Sequence, residues 1–117
     1  MVSEVKQLID KSHDLIRTIK ELRDALLDYQ EGCERLLQVG ELDRLGSSTI
    51  ERVELVRFAD KRERLAAALE AFEVSRRRAR VALIAVAEDE GSTISEVART
   101  LGLSRQLLSR QSKQENR

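Results

Sequence analysis

The first third of the chain alternates apolar and polar positions with a helical period. Val5, Leu8, Ser12, Leu15, Ile19, Leu22, Leu26, Tyr29, Cys33 and Leu36 are separated by three and four residues in turn. That is the a/d pattern of a heptad repeat, with Ser12 as its one small polar position. Ile9, Ile16 and Leu37 fall beside the seam at e, and Leu27 at b. A face wider than a/d can cover more than one partner helix. Glu4, Lys6, Asp10, Asp14, Arg17 and Lys20 lie among the polar positions and form a solvated face of mixed sign. The pattern predicts a first helix over about 3–38, roughly 50 Å long.

Gly40 to Ser48 reads as a turn. Ser48-Thr49-Ile50-Glu51 has the form of a capping box, which opens a second helix. This helix is expected from about 49 to 89. Its seam is Leu55, Phe58, Arg62, Leu65, Leu69, Phe72, Arg76, Ala79, Leu83 and Val86, with the two arginines as weak points. A short connection between long helices favours an antiparallel hairpin. A layer only two helices thick leaves apolar surface open, and a second copy giving a four-helix dimer would close it.

From Gly91 the pattern changes. Thr93-Ile94-Ser95-Glu96 is a second capping box, and it opens a short helix from Ile94 to Leu101. Gly102 ends that helix at a position suited to positive φ. Ser104 caps a last helix from Arg105 to about Lys113. Two short helices joined by a few residues that include Gly form a helix-turn-helix. Ala98 sits where the two helices cross. Val97, Leu101, Leu103 and Leu108 are the expected packing positions, and Leu83, Val86 and Ala87 of the second helix supply the third wall.

Glu96-Val97-Ala98-Arg99-Thr100-Leu101-Gly102-Leu103-Ser104-Arg105-Gln106 resembles the helix-turn-helix superfamily of bacterial DNA-binding proteins. It is most similar to the C-terminal DNA-binding segments of DNA invertases and resolvases. It is also similar to small actinobacterial or actinophage regulators with a Leu-Gly-(Val/Leu)-Ser-Arg-Gln turn. The resemblance covers about 80–113 and says nothing of the first helix. It implies that the last helix enters the major groove, with Ser104, Arg105, Gln106, Ser109 and Arg110 at the contact positions. The chain departs from the family at Gln111-Ser112, where an apolar residue usually anchors the recognition helix.

The chemistry of these positions agrees with that implication. Arg pairs bidentately with guanine and Gln with adenine. A Ser hydroxyl and free backbone N–H groups at a helix start suit a phosphate. Lys113 and Arg117 are within reach of backbone on the flank. Arg76-Arg77-Arg78-Ala79-Arg80 has two readings. Either Arg77 and Arg80 grip phosphates beside the groove, or the run is a solvated stretch paired with Glu70, Glu73 or acidic residues of the first helix.

Composition narrows the function classes. The 117 residues include no Pro, five Gly, one His and one Cys, with 36% charged side chains. These proportions favour long helices over sandwiches and barrels. A single His and a single Cys cannot build a zinc site within one chain. His13 and Cys33 lie about 30 Å apart on one expected helix, too far for a catalytic dyad. There is no Gly-rich phosphate loop. Glu88-Asp89-Glu90 lacks the surroundings of a catalytic carboxylate pair. No apolar run approaches a membrane span and the N-terminus has no signal-peptide core, which with the lone Cys fits a reducing, cytoplasmic setting. Cys33 reads as a buried free thiol, with a redox switch across a dimer axis as the weaker alternative. His13 reads as a surface residue.

Zero net charge conceals an asymmetry: residues 1–60 carry 9 basic and 13 acidic side chains, and residues 61–117 carry 12 and 8. An acidic half joined to a basic half suggests two tasks, with any polyanion contact in the second. The expected protein is all-α and not an enzyme. Residues 1–78 form a coiled-coil-like hairpin for dimerisation through helices 1 and 2, and residues 79–117 form the DNA-binding region with a short polar tail. It binds double-stranded DNA as a homodimeric, repressor-like transcriptional regulator, with no cofactor, no metal and no membrane. The alternative is a coiled-coil adaptor, or a DNA-packaging or recombination accessory protein. In that case the helix-turn-helix tethers a body that binds a protein partner.

Overall fold

A computed structural model describes the backbone of residues 2–42 and 48–115 and the side chains of residues 3–38 and 48–110. The described residues are all-helical, with α1 (Val2–Leu42), α2 (Thr49–Leu55), α3 (Phe58–Asp89), α4 (Ile94–Leu101) and α5 (Arg105–Glu115). The fold divides into two compact units. Unit 1 comprises residues 1–17 and 73–117, and unit 2 residues 18–72. The expected turn at Gly40 starts later, because α1 continues through Gly40 to Leu42. Residues 43–47 of that turn lie outside the described residues.

The long second helix is broken. Ser48 caps α2 by accepting the Glu51 N–H at 3.2 Å, and α2 ends after only seven residues. Arg57 then adopts φ +56°, the left-handed region, with no Gly or Pro to mark the site. Side chains two positions apart on a continuous helix point about 200° apart. The break lets Val56 bury almost completely while Phe58 meets Tyr29 edge to face, with ring centroids 4.9 Å apart. Left-handed backbone at a non-Gly residue costs about 1 kcal/mol, which burial of a Val side chain offsets.

Both long helices bury a seam that differs from the expected one by half. In unit 2, α1 keeps Leu22, Tyr29 and Leu36 half-buried, as expected. Their buried companions are Thr18, Ala25 and Gly32, each one residue before the expected Ile19, Leu26 and Cys33. On α3, Leu65 and Phe72 are kept, and Lys61 and Ala68 replace Arg62 and Leu69. In unit 1, α3 buries Ala79 and Ala82, so Ala82 replaces Leu83, and the exposed Arg76 yields to Ser75. Small side chains at these positions let helix backbones approach closely, so the larger shared residues cover the seam from the side. The consequence is that Ile19 and Leu26 are about half exposed. Cys33 is half-buried and not buried as expected, whereas His13 is exposed.

Unit 2 also holds a charged contact. Lys61 Nζ lies 2.7 Å from Asp28 Oδ1, and Arg64 Nη1 lies 3.5 Å from Asp28 Oδ2. The hydrogen bond from Lys61 holds the Asp28 carboxyl below its usual range. Partial burial opposes this shift, and the charges of Lys61 and Arg64 reinforce it.

Candidate nucleic-acid interface

The site is built on backbone chemistry that the sequence specifies closely. Thr93 caps α4: its hydroxyl oxygen accepts the Glu96 N–H at 3.2 Å, and the same hydroxyl lies 3.3 Å from Glu96 Oε1. At the other end Gly102 adopts φ +69°. Its N–H donates to Arg99 O at 3.2 Å, and the Leu103 N–H donates to Ala98 O at 2.9 Å. This is the paired-bond Schellman ending, which needs a left-handed residue that Gly supplies without steric penalty. Gly91 ends α3 in the same way, with bonds from Gly91 N to Glu88 O and from Ser92 N to Ala87 O. Ser104 then caps α5 by accepting the Leu107 N–H at 3.3 Å.

These ends fix the lines on which α4 and α5 leave their turns. The space between them is filled by one cluster: Ile84 of α3, Val97 and Ala98 of α4, and Leu108 of α5, all buried. Ala87, Ile94 and Leu103 close its edges. Ala98 is 3% exposed, so a larger side chain there would push the two helices apart. The third wall is the buried Ile84 with the half-buried Ala87, and Leu83 and Val86, also half-buried, do not belong to that cluster. Ile84 went unrecognised because it sits one residue off the heptad seam. A helix that packs against different neighbours along its length turns a different face to each. Leu101 does not join the core: it is 39% exposed and lines a small apolar groove with Leu83, Ala87 and Val97.

The expected contact residues divide into two sets. Ser104, Arg105 and Gln106 occupy the cap and first turn of α5 and are exposed. Arg110 is exposed one turn further on, below Gln106 on the same face, and Ser109 is half-buried. The side chains of Lys113, Gln111, Ser112 and Arg117 lie outside the described residues. The second set sits on α3. Arg80 lies one turn before Ile84 and Arg77 about two turns before, both half-buried. Burial, with the charge of Arg76 beside it, holds the Arg80 guanidinium below its ordinary range. Arg76 pairs with Glu73 at 2.7 Å, and Arg78 lines a cleft with Glu4 and Lys11. For Arg76 the paired reading of the run describes its contact, and Arg78 is exposed.

Unit 1 carries twelve basic and nine acidic side chains, and unit 2 nine and twelve. The basic excess therefore belongs to the unit that contains α4 and α5. Among the described residues no group of three or more His, Cys, Asp or Glu could hold a metal ion. No described helix is long and apolar enough to cross a membrane. Comparison of the chain with family models, with curated proteins and with solved structures finds no match.

Proposed function

We propose that this chain is a sequence-specific DNA-binding protein, a homodimeric transcriptional regulator that represses by occluding its site. In this reading α4, the Gly102 turn and α5 are a helix-turn-helix, and α5 is the recognition helix in the major groove. The observation that carries the reading is the exposed run Ser104-Arg105-Gln106, with Arg110 on the next turn, at the start of a helix anchored by the buried Leu108. Arg105 addresses guanine O6 and N7, and Gln106 addresses adenine N6 and N7. The capped N-terminus of α5 and the Ser104 hydroxyl meet a phosphate and set the register. Arg77, Arg80 and Lys113 add backbone contacts on the flank.

Residues 79–117 then form the reading head and the rest of the chain the assembling body. Residues 79–117 fall within unit 1, which also includes residues 1–17 and 73–78, and residues 18–72 make up unit 2. Within unit 2, Asp28 of α1 pairs with Lys61 of α3, and the earlier Glu21 and Asp24 share a cleft with the later Ala67 and Ala71. This reversed order supports a hairpin of two antiparallel helices. Two reading heads on one DNA face would take half-sites about 34 Å apart.

The test is selection of bound duplexes from a random pool. The wild-type chain enriches a two-fold-related sequence. Arg105→Ala and Gln106→Ala each weaken binding to that sequence by about 10- to 100-fold, and the mass of the assembly stays the same. Absence of enrichment, or equal binding by the variants, rejects the assignment.

A further inference from the structure

The displaced seam on α1 leaves an apolar face exposed among the described residues of unit 2. Ile19, Leu26, Leu27 and Leu37 are 47%, 50%, 54% and 70% exposed. They are not scattered. Ile19, Arg23, Leu26, Gln30, Cys33 and Leu37 follow spacings of four and three residues, a second heptad seam beside the buried one. Leu27 flanks this outer seam, with Lys20 and Glu34 one heptad to either side of it. Lys20 and Glu34 are both exposed. Soluble chains rarely leave an apolar stripe of this regularity open.

We infer that the outer seam of α1 in unit 2 packs against the same seam of a second copy, antiparallel, with Leu27 on the two-fold axis. This inference rests on the dimer reading above and gives it a surface and an orientation. In this register Ile19 meets Leu37 of the second copy, and Leu26 meets Gln30 of the second copy. Arg23 lies beside Cys33 of the second copy. On the flank, Leu27 meets its own symmetry mate. Lys20 falls opposite Glu34 of the second copy, and two-fold symmetry makes that pair twice. The Glu34 carboxylate already accepts a bond from Gln30 at 2.9 Å and has lone pairs left for a lysine. A parallel arrangement is worse, because it stacks Arg23 on Arg23 and Gln30 on Gln30 at core layers. α3 offers no equivalent seam among the described residues, since Leu69 is its one exposed large hydrophobic side chain and the exposed Arg62 precedes it by one heptad. The contact therefore belongs to α1.

Charge reversal tests the register without touching the buried seam. Sedimentation equilibrium of the full chain should show a dimer. Lys20→Glu and Glu34→Lys should each raise its dissociation constant about tenfold, and the double variant should restore it. Circular dichroism of each variant reports that the helices are intact. A short bis-maleimide should join two chains of Leu27→Cys/Cys33→Ser. It should not join wild-type chains through Cys33, because antiparallel packing sets those thiols about 15 Å apart along the axis. A chain that stays monomeric at all concentrations overturns both this inference and the dimer reading. A dimer indifferent to both charge reversals, or one joined through wild-type Cys33, overturns the surface and orientation. Either of those outcomes leaves the dimer reading intact, and the DNA selection reports on α5 separately.

Discussion

The two units solve the packing problem in opposite ways. Unit 1 gathers residues distant along α3, α4 and α5 into one small apolar core, and each helix that enters it has a dedicated cap. Among the described residues, unit 2 has no such cluster. It aligns long helices along small residues, Thr18, Ala25, Gly32 and Ala68, and adds a charged contact between Asp28 and Lys61. A core of large side chains concentrates free energy at a few positions, and a seam of small ones distributes it along the helix. The first arrangement suits a rigid platform for exposed side chains. The second leaves large apolar residues outside.

The sharpest way to break this contrast is to truncate one residue in each unit. Leu108 is fully buried at the centre of the unit 1 core, so Leu108→Ala should cost about 2–5 kcal/mol. Amide hydrogen exchange should show α4 and α5 losing protection while residues 18–38 keep theirs. Leu26, half exposed in unit 2, should lose less than about 1 kcal/mol on conversion to Ala when measured on the monomer. Comparable losses at the two positions would show that the cores are built alike.

The same contrast explains what could be read in advance. Thr93, Gly102 and Ser104 were legible because each acts on its own backbone, and local chemistry is written locally. Ala98 was legible because its distance from Gly102 fixes where two short helices cross. The seams were legible only in part. The apolar face of α1 is wide enough for two registers, and sequence pattern prefers the large residues Ile19 and Leu26. The choice falls to Ala25 and Gly32, because backbone approach depends on the facing helix as well as on α1. The break at Arg57 left no signal, since its gain is the joint burial of Val56 and Phe58 against residues far away in sequence. For the proposed contact residues, the pattern agrees with the exposure of Ser104, Arg105, Gln106 and Arg110. It did not anticipate the half-burial of Arg77, Arg80 and Ser109, which depends on neighbours.

A finer test of the unit 2 arrangement uses Gly32. A Cβ at this position would lie 2.7 Å from Lys61 Cδ, in a stem whose ammonium is tied to Asp28. Replacing Gly by Ala inside a helix normally gains about 1 kcal/mol. Here the methyl group must displace Lys61, so Gly32→Ala should give no gain in the wild-type chain. In a Lys61→Ala background the obstruction is gone, and the same substitution should stabilise by about 1 kcal/mol. Denaturant melts of the four chains measure the coupling. Equal gains in both backgrounds would show that Lys61 moves aside freely and that close approach at Gly32 is incidental.

The smallest expected effect separates the units by pH. The carboxyl of Asp28 titrates below its usual range in the folded chain, first because Lys61 donates a hydrogen bond to it and further because Lys61 and Arg64 are positively charged. The unfolded chain therefore takes up a proton there at a higher pH than the folded chain does. Asp28 contributes stability that is complete above the unfolded value of about 4 and is lost as pH falls through the lower folded value. Asp28→Asn keeps an oxygen that can accept from Lys61 Nζ but has no carboxyl to protonate. Denaturation midpoints between neutral pH and strong acid should fall less steeply below about pH 4 in Asp28→Asn than in the wild-type chain. The difference should appear in probes of residues 18–38. The protection of α4 and α5, whose core holds no ionisable side chain, should follow one acid profile in both chains. A loss shared equally by both regions would mean that Asp28 does not set the acid response of unit 2.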